Sequence, residues 1–81
     1  MEATKVRTIE VIFNKKKINL SDREMTGREI KEEAIRQGVE IAPDFQLSVR
    51  HGNRLDVVDD DEEIRIRHHQ EFICVKADDN S

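Results

Sequence analysis

Apolar and polar residues alternate along the first part of the chain. Over residues 5–13, Ile9, Val11 and Phe13 recur at period two, the spacing that puts side chains on one face of a half-buried strand. Asn14-Lys15-Lys16 fits a tight turn, since Asn tolerates positive φ. Ile18 and Leu20 then alternate with Lys17 and Asn19, which completes an N-terminal hairpin. The lysine run from Lys15 to Lys17 reads as the solvated tip of that hairpin rather than as a basic binding patch.

The period then changes. Thr26 followed three residues later by Glu29 is a capping box, in which the hydroxyl accepts from the Glu29 amide and the carboxylate reaches back to the Thr26 amide. Met25 before the cap and Ile30 after it have the spacing of a hydrophobic staple. Ile30, Ala34 and Ile35 form a narrow apolar stripe that leaves Arg28, Lys31, Glu32 and Arg36 for solvent. Gly38 stands where a left-handed C-terminal cap belongs, with Val39 able to fold back on Ala34. The pattern predicts a helix over 27–37.

Pro43-Asp44 breaks the chain again, and period two returns. Phe45, Leu47 and Val49 alternate with Gln46, Ser48 and Arg50 as a third strand, His51-Gly52-Asn53 turns it, and Leu55 and Val57 mark a short fourth. Asp59-Asp60-Asp61-Glu62-Glu63 lacks the alternating ligands and central Gly of a calcium loop and reads as an acidic turn. Ile64 and Ile66 lead the chain back to the core. Gln70 to Lys76 contains Phe-Ile-Cys-Val, a strand apolar on both faces, which belongs in the middle of a sheet. A hairpin, a helix, short strands and a two-sided last strand are the order of an α+β, β-grasp (ubiquitin-like) domain. The expected architecture is a mixed sheet of four to five strands with one crossing helix and the last strand parallel to the first. The same order also fits other small α+β folds. The domain is expected over 5–76, with 1–4 and 77–81 as flexible termini.

Composition narrows the function. Eighty-one residues fit one domain with a thin core, without room for a cleft between two. Charged residues make up 40% of the chain, Trp and Tyr are absent, and only the periodic placement of the apolar residues separates it from disordered sequences. A net charge of −4 argues against binding a phosphate backbone, so no nucleic-acid partner is expected. The single Cys74 excludes an internal disulfide, and no signal peptide or membrane span is recognisable, so a reduced, cytoplasmic setting without a membrane partner is expected. Cys74 lies within an apolar strand away from any helix N-terminus and reads as a small buried hydrophobe rather than a nucleophile. His51, His68 and His69 lack metal-site spacing and read as exposed loop residues. There is no Gly-rich phosphate loop and no Ser-His-Asp set. No catalytic residue, metal or cofactor is assigned, and the chain is not expected to be an enzyme.

At Thr26-Gly27-Arg28-Glu29-Ile30 the sequence resembles the bacterial multiubiquitin family of ubiquitin-like proteins. A Pro-x-x-x-x-Leu segment is matched approximately by Ala42 to Leu47, an acidic stretch by Asp59 to Ile66, and a Phe-x-x-Val strand by Phe72 to Val75. The likeness covers roughly residues 6–76. It implies a protein modifier that acts with a ubiquitin-activating-type enzyme, a conjugating-type enzyme and a JAB-type metalloprotease, on unspecified target proteins. In that chemistry the C-terminal carboxylate is adenylated and passed through a thioester to an amide-type bond, which makes Lys76, Ala77, Asp78, Asp79, Asn80 and Ser81 the candidate processing or conjugation tail. Members favour glycine there, whereas this chain has none after Gly52. Either the sequence stops before the functional terminus or this copy is not conjugated, so a non-conjugated interaction module is the alternative, and a sulfur carrier, which needs a terminal Gly-Gly, comes behind it.

A second candidate site follows from strand alternation. If Phe72 and Cys74 point at the helix, then Ile73 and Val75 point outward near Ile12, forming a protein-interaction face. In the opposite register Ile73 and Val75 are core and no such face exists. On the third strand the outward residues would be Gln46, Ser48 and Arg50, a more polar surface than the apolar patch of ubiquitin.

Overall fold

A computed structural model describes residues 8–76. Its hairpin pairs β1 (Ile9–Phe13) antiparallel with β2 (Lys16–Leu20), Phe13 opposite Lys16. The loop is therefore the two residues Asn14 and Lys15, both at positive φ (52° and 69°), the combination of a type I′ turn that matches strand twist. The Asn14 amide also holds the last strand, accepting from the Cys74 N–H (2.8 Å) and donating to the Cys74 carbonyl (2.9 Å).

β3 (Glu24–Thr26) leads directly into α1 (Gly27–Arg36). Beyond the helix come β4 (Gln46–His51), β5 (Arg54–Val58), β6 (Glu63–Arg65) and β7 (Glu71–Val75). Five strands form one mixed sheet in the order β2-β1-β7-β4-β5, with β7 parallel to β1 and central, as its two-sided apolar pattern requires. The α+β, β-grasp arrangement expected from the sequence is the one observed. The pairing of β3 with β6 into a separate two-stranded ribbon was not anticipated. Each of these strands is only three residues long, too short to show an alternation.

The core lies between the sheet and the helix. Val11, Phe13, Ile18, Leu20, Phe72 and Cys74 contribute from the strands, and Ile30 and Ala34 from α1. The rings of Phe13 and Phe72, register partners on β1 and β7, pack 6.2 Å apart between centroids.

Both ends of α1 are specified locally. Thr26 and Glu29 make the reciprocal capping box (3.0 and 3.2 Å). Gly38, at φ 98°, closes a Schellman motif in which the Val39 N–H donates to the Ala34 carbonyl and the Gly38 N–H to the Ile35 carbonyl, both at 3.0 Å. Between these ends the stripe differs from expectation. The buried helical positions are Gly27, Ile30, Lys31 and Ala34, while Ile35 is 37% exposed.

Lys31, expected in solvent, is only 4% exposed. Its ammonium donates to the Pro43 carbonyl (2.7 Å) and the Phe45 carbonyl (2.8 Å) and pairs with the Asp60 carboxylate (2.7 Å). Three donors meet three acceptors, which is what makes burial of a lysine tolerable. The same pairing holds the Asp60 carboxyl below its ordinary range, with the hydrogen bond from Lys31 as the main cause.

The acidic turn is a structural partner of the helix. The Gly27 and Arg28 amides, the first two of α1, donate to the carbonyls of Glu62 (3.1 Å) and Asp60 (3.0 Å). With Thr26 capping the Glu29 amide, the first three otherwise orphaned donors of the helix are satisfied. This close approach explains Gly27, where an added Cβ would run into the Asp59 carbonyl oxygen.

Candidate docking surface

The strand register decides which side chains leave the core. Leu47 opposes Cys74 and Val49 opposes Phe72, and all four are buried. Their neighbours Gln46, Ser48 and Arg50 on β4, and Glu71, Ile73 and Val75 on β7, therefore face away from the helix. Val75 is 54% exposed, and Ile73 and Ile12 are half-buried. The outward register is the one adopted, and Ile12, Ile73 and Val75 share the outer face.

Two further apolar residues join them. The turn between β4 and β5 comprises only Gly52 and Asn53, because His51 pairs with Arg54. Gly52 supplies the positive φ (61°) at its first position. This register sets Val58 opposite buried Leu47 and Asp56 opposite Val49, so Leu55 and Val57 turn outward, 50% and 51% exposed. The sequence reading placed the strand but missed its face. The signal was present in Gly52-Asn53 as a two-residue hairpin loop, which fixes the register by itself.

Ser48, small and half-buried, lies directly between Val57 and Ile73 in a row across β5, β4 and β7. Gln46 stands beside Val75. An ion pair between Arg50 and Glu71 (3.6 Å) separates Leu55 from Ile12, whose other neighbour is Lys17. The face is thus apolar toward the β5 edge and charged toward the hairpin. This outer surface is more apolar than Gln46, Ser48 and Arg50 alone suggested.

The remaining candidates take up structural places. Cys74 is 1% exposed, and burial pushes its thiol up to about 11, so the reactive thiolate is scarce at neutral pH. His68 and His69 are exposed in a turn. His51 is the exposed last residue of β4 rather than a loop residue, 3.7 Å from Asp56. No group of metal-ligating side chains is found among the described residues. Lys76 is exposed just after β7, while Ala77, Asp78, Asp79, Asn80 and Ser81, the rest of the proposed tail, lie outside the described residues, as do residues 1–4 and the first three positions, 5–7, of the expected domain. No helix among the described residues is long and apolar enough to cross a membrane.

The parallel β1–β7 centre, the helix α1 over one sheet face and the order of the strands define a ubiquitin-like β-grasp domain, a kind of domain that is generally not enzymatic. A family model described as multiubiquitin matches residues 9–78, and the chain belongs to the multiubiquitin family. No curated protein and no solved structure matches it.

Proposed function

We propose that this domain is a ubiquitin-like protein modifier that partner proteins recognise through the outer face of its sheet. The observation that supports this reading is the exposure of Leu55, Val57 and Val75 by half or more in a chain that is 40% charged. Several exposed apolar residues on one face of so polar a molecule read as a recognition surface. The partners in this reading are an activating-type enzyme, a conjugating-type enzyme and a JAB-type metalloprotease of the bacterial pathway that the family resemblance suggests. The segment Lys76 to Ser81 is their substrate, and the setting is cytoplasmic. The test is intact mass of the native protein after incubation with enzymes of these three classes and ATP. A covalent adduct, or loss of a C-terminal peptide, supports the modifier. An unchanged mass overturns it.

The exposed face also supports a second reading, a non-covalent interaction module, because docking on β4, β5 and β7 needs no chemistry at the tail. In that case mass stays constant, and Val75→Asp abolishes binding to these same enzymes while the domain remains folded. Retained binding by the folded variant sinks this reading.

A further inference from the structure

Opposite in character to the outer face is an open cleft of about 890 Å³ at the start of β1 and the adjoining end of the β3–β6 ribbon. Its walls carry Arg23, Arg65, Arg67 and His68, all exposed, against a single carboxylate, Glu24. The other described arginines are each within ion-pairing distance of a carboxylate: Arg28 with Glu32, Arg36 with Glu33, Arg50 with Glu71 and Arg54 with Asp56. Among the described residues, Arg23, Arg65 and Arg67 are not. In a chain of net charge −4, the three described arginines without a described carboxylate partner gather in one concavity.

We propose that this cleft binds a short acidic segment of a partner protein, with two or more carboxylates flanking an apolar residue. Guanidinium forks match carboxylates in bidentate geometry, and the cleft offers three of them. Ile66, buried, and Ile9, half-buried, form an apolar part of the wall for the residue between the acids, and the Thr8 and Ser21 hydroxyls add neutral hydrogen-bond partners. A long polyanion such as nucleic acid fits poorly. The same ribbon carries Glu63 two residues from Arg65 and continues into the acidic turn, so a backbone extending that way meets a row of carboxylates. Charge complementarity therefore selects a short, mixed acidic and apolar peptide. This surface is separate from the face formed by Leu55, Val57, Ile73 and Val75, so it stands or falls independently of the modifier reading.

The probe is a blocked hexapeptide, Glu-Ile-Glu-Glu-Ile-Glu, titrated into the 15N-labelled full chain, with Lys-Ile-Lys-Lys-Ile-Lys as the control. The expected result is saturable shifts of the Arg23, Arg65, Arg67 and His68 amides that weaken with added salt and are absent with the control peptide. Arg23→Ala with Arg67→Ala weakens binding about tenfold, and Arg36→Ala on the far end of the helix leaves it unchanged. If the double variant does not fold, each single substitution is expected to weaken binding about threefold. The proposal is overturned if these amides do not respond at millimolar peptide, if the basic peptide binds equally, or if a twelve-nucleotide single strand binds the cleft more tightly than the acidic peptide.

Discussion

The helix start and the outer sheet face reverse the usual rule in opposite directions. At the first, a lysine is buried; at the second, a leucine and two valines are half exposed. The lysine is explained within the domain, since its three acceptors come from the loop before β4 and from the acidic turn, and its ammonium ties both to α1. The face has no such internal account. Nothing in the fold requires Leu55, Val57 or Val75 to be apolar, because β-strand propensity is met as well by Thr at an edge strand. The difference separates residues that the structure needs from residues that a partner needs, and substitutions can break or sharpen it.

The largest effect is expected at Lys31. Lys31→Met keeps the aliphatic stem but leaves the Pro43 and Phe45 carbonyls without their donor, which costs about 2–4 kcal/mol in urea unfolding. Ile35→Ala, an apolar truncation one turn later at a position 37% exposed, should cost about 1 kcal/mol or less. If the isoleucine proves the more costly, Lys31 is not what ties the loops to the helix.

Gly27→Ala comes next. Alanine is the better helix former by about 1 kcal/mol. The added methyl nevertheless meets the Asp59 carbonyl, and the acidic turn must move away from the helix amides it caps. The net expectation is a loss of about 1–2 kcal/mol, measured by thermal or urea unfolding. Unchanged or increased stability shows that the turn is loosely held.

Asp60 adds a pH dependence with a definite sign. Its carboxyl is held below its ordinary value in the folded protein by the Lys31 ammonium, so the pairing stabilises the fold above about pH 4 and is lost as pH falls through the folded value. The urea midpoint of Asp60→Asn should therefore fall less than that of the unsubstituted protein between pH 5 and pH 2. Parallel curves would show that Asp60 contributes nothing to folding.

Much of this comparison was legible in the sequence. Alternation located β1, β2, β4 and β7, and the capping box with Gly38 marked both ends of α1, because these signals are local. Lys31 was not legible as a buried residue. Its place on the apolar stripe, four residues after Gly27 and one after Ile30, was visible, but its acceptors come from loops 12 or more residues away. The Leu55–Val57 face was legible only through turn length, since the adjacent valines 57 and 58 let either alternation fit. Arg23 and Arg65 come to one cleft through the β3–β6 ribbon, whose short strands carry no periodic signal.

The smallest effect on stability, and the most telling, is expected at Val57. The side chain is 51% exposed on an edge strand and has Ser48 as its cross-strand neighbour. Val57→Thr preserves the β-branched shape, so unfolding should shift by no more than about 0.5 kcal/mol, and Val75→Thr should behave alike. A residue with that tolerance is apolar for a reason outside the fold. The two-residue loop at Gly52-Asn53 makes this sharper, because it forbids the one-residue slip that would carry Val57 inward and Val58 outward. Should Val57→Thr cost as much as truncation of a core valine, about 1 kcal/mol or more, the residue is part of the packing and the outer face loses its claim as a docking surface.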